Sequence, residues 1–586
     1  MEKRIFLFIG VLLLIIVGSS WLSSKDATPQ DSAAEQKKIP PGNNSTAPTL
    51  NPSQTSTSPK QAQKQFERQT LSVSFPDHTI SWSNQHAGVT SFVLNNPQYR
   101  EKNPKRLSQT KEGIKVITLT GEQPIDVIAN DQGSLDVYLP DSDLDIKDAE
   151  NNWKLSAVEA GSSCVKTGPA SMQQVICPKD AVFKVSYEYT NSQLSILKQF
   201  TITSNHQVGL DVSIKNLQPQ PLNYHFGYKI RGFQPSQEKK SWFDPTPPAT
   251  EILWNKTSVQ RTKFEKASGL SESDKVGDIR WVGLGPQYFL QAFVMQSGEK
   301  TGNKKIVINT EERGDIELGV EYPKNTLAMG QTSHYRVVMY GGPKSSALME
   351  QVKIDDVGVD LEQSPNYTLG FLARPLLVVL IKVNQWVKNW ALTIVILTIL
   401  LKLLTLYPSY RGAKSMKAVS DLKPEIDALQ EKYKDNKERL QQEMLQLYRN
   451  RGVSQFGGCL PMLLPMPIYF AFYSMLQSAV ELYRIPFLWV KDMTATDPYF
   501  ILPLLTGLIM HLQARFTPST GDAQQKAISS FVMPMVFLFF GAFYIPAGLI
   551  FYILINTLLG VIQQVVTNKI QPKTNHKEPT KGAKKA

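Results

Sequence analysis

The sequence predicts a multi-span α-helical membrane protein: six transmembrane helices, five of them forming a core, with a large periplasmic all-β domain and a cytoplasmic helical hairpin. Three observations point there. Residues 366–568 are mostly apolar and hold nearly all the long hydrophobic runs, several of them close to the roughly 20 residues a helix needs to cross a bilayer. Residues 23–365 are polar and carry strand-like alternation instead. Much of the net charge of +12 flanks the apolar runs, where the orientation rule places cations on the cytoplasmic side. The positive balance is therefore not a nucleic-acid signature by itself.

At the start of the chain, Lys3 and Arg4 precede an apolar run from Ile5 to Val17 that extends to Trp21. The adjoining GSSWLSS offers no clear small-x-small cleavage site. Residues 1–22 thus read as a retained signal-anchor helix, N-terminus inside; a cleaved signal peptide is the alternative, and either one exports the polar half of the chain. Residues 23–65, rich in Ser, Thr, Pro, Gln and Asn, cannot bury enough apolar surface to offset ordering and read as a flexible periplasmic tether.

Residues 66–350 read as an exported all-β domain. Alternation runs through Leu71–Phe75, Ile114–Val116, Leu194–Ile196, Val208–Ile214, Tyr224–Tyr228 and Tyr335–Tyr340, with Asn, Gly, Pro and Asp clusters between. The length suits a large sandwich rather than an immunoglobulin-sized one. Cys164 and Cys177 can pair across a short loop in an oxidising compartment; two free thiols are the alternative. The only other cysteine is Cys459, and the chain has no CxxC or Cys/His cluster, which argues against a structural zinc. The acids of 141–150 read as a solvated loop, because a calcium loop needs tighter ligand spacing and a glycine turn.

Tyr367–Trp390 together with Ala391–Tyr407 exceeds one span. Residues 366–390 are read as an amphipathic helix on the periplasmic interface, with Trp386 and Trp390 in the aromatic belt, and 391–568 as the five-helix core. Within ALTIVILTILLKLLTLY the single cation is Lys402. A lysine at the centre of a span costs about 2.5–3.5 kcal/mol on insertion scales, which invites a functional hypothesis. The bland reading is that Tyr407-Pro408 ends the helix and Lys402 snorkels to the headgroups. Residues 411–455 carry both charge signs around an apolar seam of Val419, Leu422, Ile426, Leu429 and Tyr433, then Leu440, Met444 and Leu447. That pattern predicts two short helices in an antiparallel coiled-coil hairpin, turning at Lys434–Asn436. Four further spans come after it at about 458–480, 500–515, 527–543 and 547–566, then a basic tail, 569–586, with six lysines and one glutamate. Both termini are then cytoplasmic. Polar residues in the spans, including Thr398, Lys402, Gln513 and Asn556, lie mainly toward the inner ends and suggest a wet cavity.

The run GGCLPMLLPMPIYFAFYSML, the segment VELYRIPFLWVKDMTATDPYFILPLLTG, the LYPSYRGAKSM junction and the PAGLIFYILINTLLGVIQQ end resemble the YidC membrane protein insertases. The layout is similar to the Gram-negative form with a large periplasmic domain. The resemblance implies a periplasmic β-supersandwich without enzyme activity, and a hydrophilic groove in the inner leaflet of a bacterial inner membrane. It implies that Lys402 takes the place of the groove cation, which is often arginine, with Thr398 one turn away and Tyr552 as a substrate contact. Asn556 and Gln513 are further groove candidates; a glutamine of some relatives is Pro465 here. Implied partners are nascent membrane proteins, the ribosome through tail and hairpin, the secretion translocase and membrane lipids. No specific nucleic-acid sequence is among them. No cofactor is expected, and no GxxxxGK[ST] nucleotide loop is present. The competing readings are a polytopic transporter with a periplasmic sensing domain, for which internal repeats are missing, and a membrane-anchored carbohydrate enzyme, which leaves five spans unexplained.

Overall fold

The computed structural model describes residues 68–570 except 103, 111–112, 129–133, 141–152, 170–171, 234–249, 256–258, 264–265, 268–269, 296–301, 311–313, 355–356, 359–369, 435, 452–465 and 517–527. The expected anchor 1–22, the tether 23–65, the acidic loop 141–150, residues 458–465 of one span and the tail beyond residue 570 lie outside the described residues.

Alternating strands build the first half. A nine-stranded antiparallel sheet has the spatial order Val259–Lys263, Glu251–Asn255, Trp281–Gly285, Phe289–Met295, Thr332–Pro343, Gln207–Asn216, Leu194–Thr203, Phe183–Thr190, Lys154–Ala160. Two five-stranded sheets accompany it. One runs Val165–Thr167, Met172–Ile176, Thr70–Ser74, His78–Ser83, Gly88–Leu94, and the other Val276–Gly277, Lys304–Thr310, Asp315–Glu321, Gly227–Phe233, Asp136–Tyr138. Residues of all three sheets meet in one apolar core, with Val73, Trp82, Phe92, Phe183, Phe200, Leu210, Ile230 and Leu318 among its members. The strand Gln207–Asn216 shows why the pattern was readable: Val208, Leu210, Val212 and Ile214 point inward and are fully buried.

Two departures occur here. Tyr224–Tyr228, read as one strand, is two: Leu222–Tyr224 pairs with Asn325–Leu327, while Gly227–Phe233 joins a five-stranded sheet. The break lets Phe226 turn into the core and stack on Tyr335 at 3.8 Å. Lys198, in phase with Ile196 and Phe200, is buried with them at 0% exposure. Its ammonium donates to the carbonyls of His86 (2.7 Å), Ala87 (3.2 Å) and Leu135 (3.5 Å) and lies 3.7 Å from the Asp136 carboxylate. Those three carbonyl residues all have positive φ (61°, 42° and 63°), the strained backbone that turns them onto the cation. Burial pushes the Lys198 amine down to about 8 despite the opposing Asp136 charge. Burial alone raises Asp136, but the His86 hydrogen bond and the Lys198 and Arg231 charges outweigh it and hold the carboxyl far below its usual range. Cys164 and Cys177 are joined by a disulfide in the structure.

Eight helices, labelled here α1–α8, make up most of the described remainder: Gly370–Val387 (α1), Trp390–Asp421 (α2), Lys423–Lys432 (α3), Lys437–Asn450 (α4), Met466–Ser478 (α5), Ile501–Phe516 (α6), Met533–Phe543 (α7) and Ala547–Ile570 (α8). A π-turn, Ile528–Val532, leads into α7. Among the described residues, three stretches are long and apolar enough to cross a membrane: α1 and Trp390–Tyr407 at 18 residues each, and Ala547–Thr567 at 21. The shorter apolar helices are Ile501–Phe516 and Ser530–Phe543. The chain breaks between α1 and α2 at Lys388, whose φ is 53°, and the Asn389 side chain caps α2 by accepting from the Leu392 N–H at 3.1 Å. The expected interfacial segment 366–390 thus holds a separate helix, Gly370–Val387, which by length and composition is also a candidate span.

The expectation that Tyr407-Pro408 ends the helix is corrected. The α2 helix continues to Asp421, even though an interior proline gives up one backbone bond and crowds the carbonyl four residues before it. Residues 411–421, expected in the hairpin, belong to this helix. Pro424 sits in the first turn of α3, and Asn436 caps α4 through the Arg439 N–H at 3.0 Å. An Arg451–Glu425 ion pair at 2.6 Å ties the end of α4 to the start of α3.

Candidate functional site

Helix α8 is the hub of the helical half, since α2, α5 and α6 all pack on it. Its first turn is secured from outside. The Ala547 and Gly548 N–H groups donate to the carbonyls of Ala495 (2.7 Å) and Met493 (2.8 Å), satisfying donors that a helix start leaves free. A Cβ on Gly548 would lie 3.1 Å from that Met493 oxygen, so the close approach suits glycine. The start of α6 is capped by buried Asp497, which accepts from the Leu502 N–H (2.7 Å), the Tyr499 N–H (3.1 Å) and the Trp489 indole (3.0 Å).

Three helices converge at Gly560. A Cβ placed there would lie 2.8 Å from the Gln513 Nε2 on α6 and 3.6 Å from the Lys402 Nζ on α2. The missing side chain makes room for an amine and a carboxamide against the α8 backbone. The Lys402 ammonium thus lies against the α8 backbone beside Gln513, twelve residues inside the start of α2 and five before its apolar stretch Trp390–Tyr407 ends. Among the described residues no carboxylate lies within ion-pair distance of Lys402. Asn556, half-buried, is one turn before Gly560 on the same helix face.

The other expected site residues are packed away. Thr398 is 1% exposed and spends its hydroxyl proton on the Ile394 carbonyl of its own helix at 2.6 Å. Tyr552 is 2% exposed and stacks on Phe472 of α5 with ring centroids 4.0 Å apart. As placed, neither presents surface to a passing chain. The structure thus brings Lys402 and Gln513 together, keeps Asn556 beside them, and puts Thr398 and Tyr552 into the helix packing above. Gly560 was not singled out from sequence. The available signal was a glycine in the middle of an apolar span, where small residues let neighbouring helices approach closely.

Two family models match this chain. "60Kd inner membrane protein" covers residues 382–575, and "YidC periplasmic domain" covers 174–379. A curated relative from Marinobacter nauticus, named membrane protein insertase YidC, is 30% identical over 474 residues, 79% of this chain and 79% of the relative. The chain belongs to the YidC family. Another relative of the same name, from Syntrophus aciditrophicus, is 32% identical over 381 residues, 64% of this chain and 67% of its own length. Among solved structures, an active YidC insertase with its first transmembrane domain resolved is similar at 20% identity and a TM-score of 0.34, covering 80% of this chain and 94% of that one. Of the two family models, the first falls on the helical part from within α1 onward and the second on the β-rich part from residue 174 into α1, in a family of inner-membrane proteins with a periplasmic domain.

Proposed function

We propose that the chain is a membrane protein insertase acting on nascent inner-membrane proteins, and that the Lys402–Gln513 site at Gly560 is where a polar segment of the substrate pauses. The observation that carries this reading is an amine, Lys402, held beside Gln513 where two helices of membrane-crossing length, α2 and α8, meet the shorter apolar α6, with no carboxylate partner among the described residues. An acidic residue of the incoming chain supplies the missing counter-charge. Such a pair 4 Å apart gains about 1 kcal/mol in water and about 4 kcal/mol at an effective dielectric near 20, so a partly dry site strengthens the attraction. The apolar part of the substrate then partitions into lipid along exposed Leu403 and Leu404 of α2.

In this reading six spans place both termini in the cytoplasm and the β-domain in the periplasm, and the α3–α4 pair is a cytoplasmic recruiting hairpin. The basic tail meets the ribosome, and the chain also works as a chaperone and with the secretion translocase. No covalent step or cofactor is required.

The test is site-specific photocrosslinking from Asn556 in membranes carrying ribosomes stalled on a short single-span protein. Capture of the nascent chain that weakens with Lys402→Glu supports the site. Capture from lipid-facing Leu404 with none from Asn556 overturns it.

A further inference from the structure

The segment Ala479–Phe500, between α5 and α6, packs into both halves of the protein. Within a single 3-10 turn, Val480 is buried in the apolar core of the β-domain, while its neighbours Ala479 and Leu482 are buried in the core of the helices. Tyr483 joins Val480 in the β-domain. Its ring lies 5.2 Å from Tyr288, 5.3 Å from Phe289 and 6.4 Å from Tyr99. Its carbonyl accepts from the Gln98 carboxamide at 2.7 Å, and its hydroxyl donates to the Arg100 carbonyl at 3.3 Å. Arg484 reaches Glu122 of the β-domain at 3.3 Å. Its φ of 53° turns the chain back so that its own N–H meets Asp492 at 3.0 Å. Farther on, Met493 and Ala495 hold the first turn of α8, and Asp497 holds the first turn of α6.

The covalent path from the β-domain to α1 is the stretch 359–369. One such link leaves the orientation of two domains free to vary, and relative motion is the default unless a packed interface opposes it. The Ala479–Phe500 segment supplies a second attachment, with apolar anchors in both cores and its far end on the two helices that carry Gln513 and Gly560.

We propose that Ala479–Phe500 is a joint that locks the β-domain and the helical core into one body, with Tyr483 as its positioning residue. The inference stands apart from the insertase reading, because its readout is orientation rather than insertion.

The experiment is double electron–electron resonance on the full chain in nanodiscs. Spin labels go on Met329→Cys in the β-domain and Trp386→Cys on α1, which are 66% and 90% exposed, in a Cys459→Ser background. The unaltered joint is expected to give one narrow distance distribution. Tyr483→Ala is expected to lose that peak to a broad one, and Tyr483→Phe, which keeps the ring and drops only the hydroxyl contact, to restore it. Gln98→Ala combined with Tyr99→Ala attacks the joint from the β-domain side and is expected to broaden the distribution as well. It decides the matter alone if Tyr483→Ala does not accumulate. A narrow peak that survives Tyr483→Ala, or survives the double variant, overturns the proposal. So does a Tyr483→Phe distribution as broad as that of Tyr483→Ala.

Discussion

Acidification should loosen the β-domain through one buried imidazole. His78 is stacked between Phe75 and Phe92, with ring centroids 5.3 and 5.0 Å away, and His206 lies at 5.1 Å. Neither ring nitrogen of His78 has a hydrogen-bond partner among the described residues. Burial, reinforced by His206, pushes its pKa from 6.5 down to about 3. The fold therefore keeps the ring neutral, while the unfolded chain takes up a proton below about pH 6.5. This contribution to stability is complete above that pH and is lost as the pH falls through the window from 6.5 toward 3. At about 1.4 kcal/mol per pH unit, the loss from His78 alone at pH 5 is roughly 2 kcal/mol. Burial also lowers His206, against the pull of Asp77, so its effect has the same sign. The assay is pulse proteolysis of the full chain in detergent across a urea series at pH 7 and pH 5. The β-domain midpoint should fall on acidification, and His78→Leu should remove roughly 2 kcal/mol of that fall. Equal pH shifts in the two proteins would refute the reasoning.

Gly560→Leu fills the space shared by Lys402 and Gln513; insertion of a single-span substrate should drop tenfold or more, about 1.4 kcal/mol, with the urea midpoint of the β-domain unmoved. Lys198→Met leaves three buried carbonyls without their donor and should cost about 3 kcal/mol in the same urea assay. Reduction of the Cys164–Cys177 bond, which spans 13 residues, should lower β-domain stability by about 3 kcal/mol, with little change in the helices. Gly548→Val crowds the Met493 carbonyl at the start of α8 and should raise amide exchange at Ala547 and at position 548 before it affects the middle of the helix.

Local periodicity determined a good deal of this protein. The inward face of Gln207–Asn216 comes from the period-2 pattern, and the start of α8 at Ala547 comes from Pro546 just before it. Lys402 was visible as a cation in an apolar run because composition alone marks it. The hidden part was non-local. Period 2 tells which face of a strand is buried, not which strand lies beside it, so the neighbours Phe289–Met295, Thr332–Pro343 and Gln207–Asn216 in the nine-stranded sheet could not be ordered from sequence. The same alternation put Lys198 on the inward face, but only the three carbonyls that meet it in the fold make that burial tolerable. Pro408 looked like a stop, yet α2 runs through it. No local rule sends Val480 to one core and Leu482 to another. Gly560 gains its meaning only when Gln513 and Lys402 arrive from helices 47 and 158 residues away along the chain. Which residues avoid water, and with what period, is written in the order of the residues themselves. The tertiary structure alone decided which of them meet, because those contacts depend on the register and crossing of elements far apart in the chain.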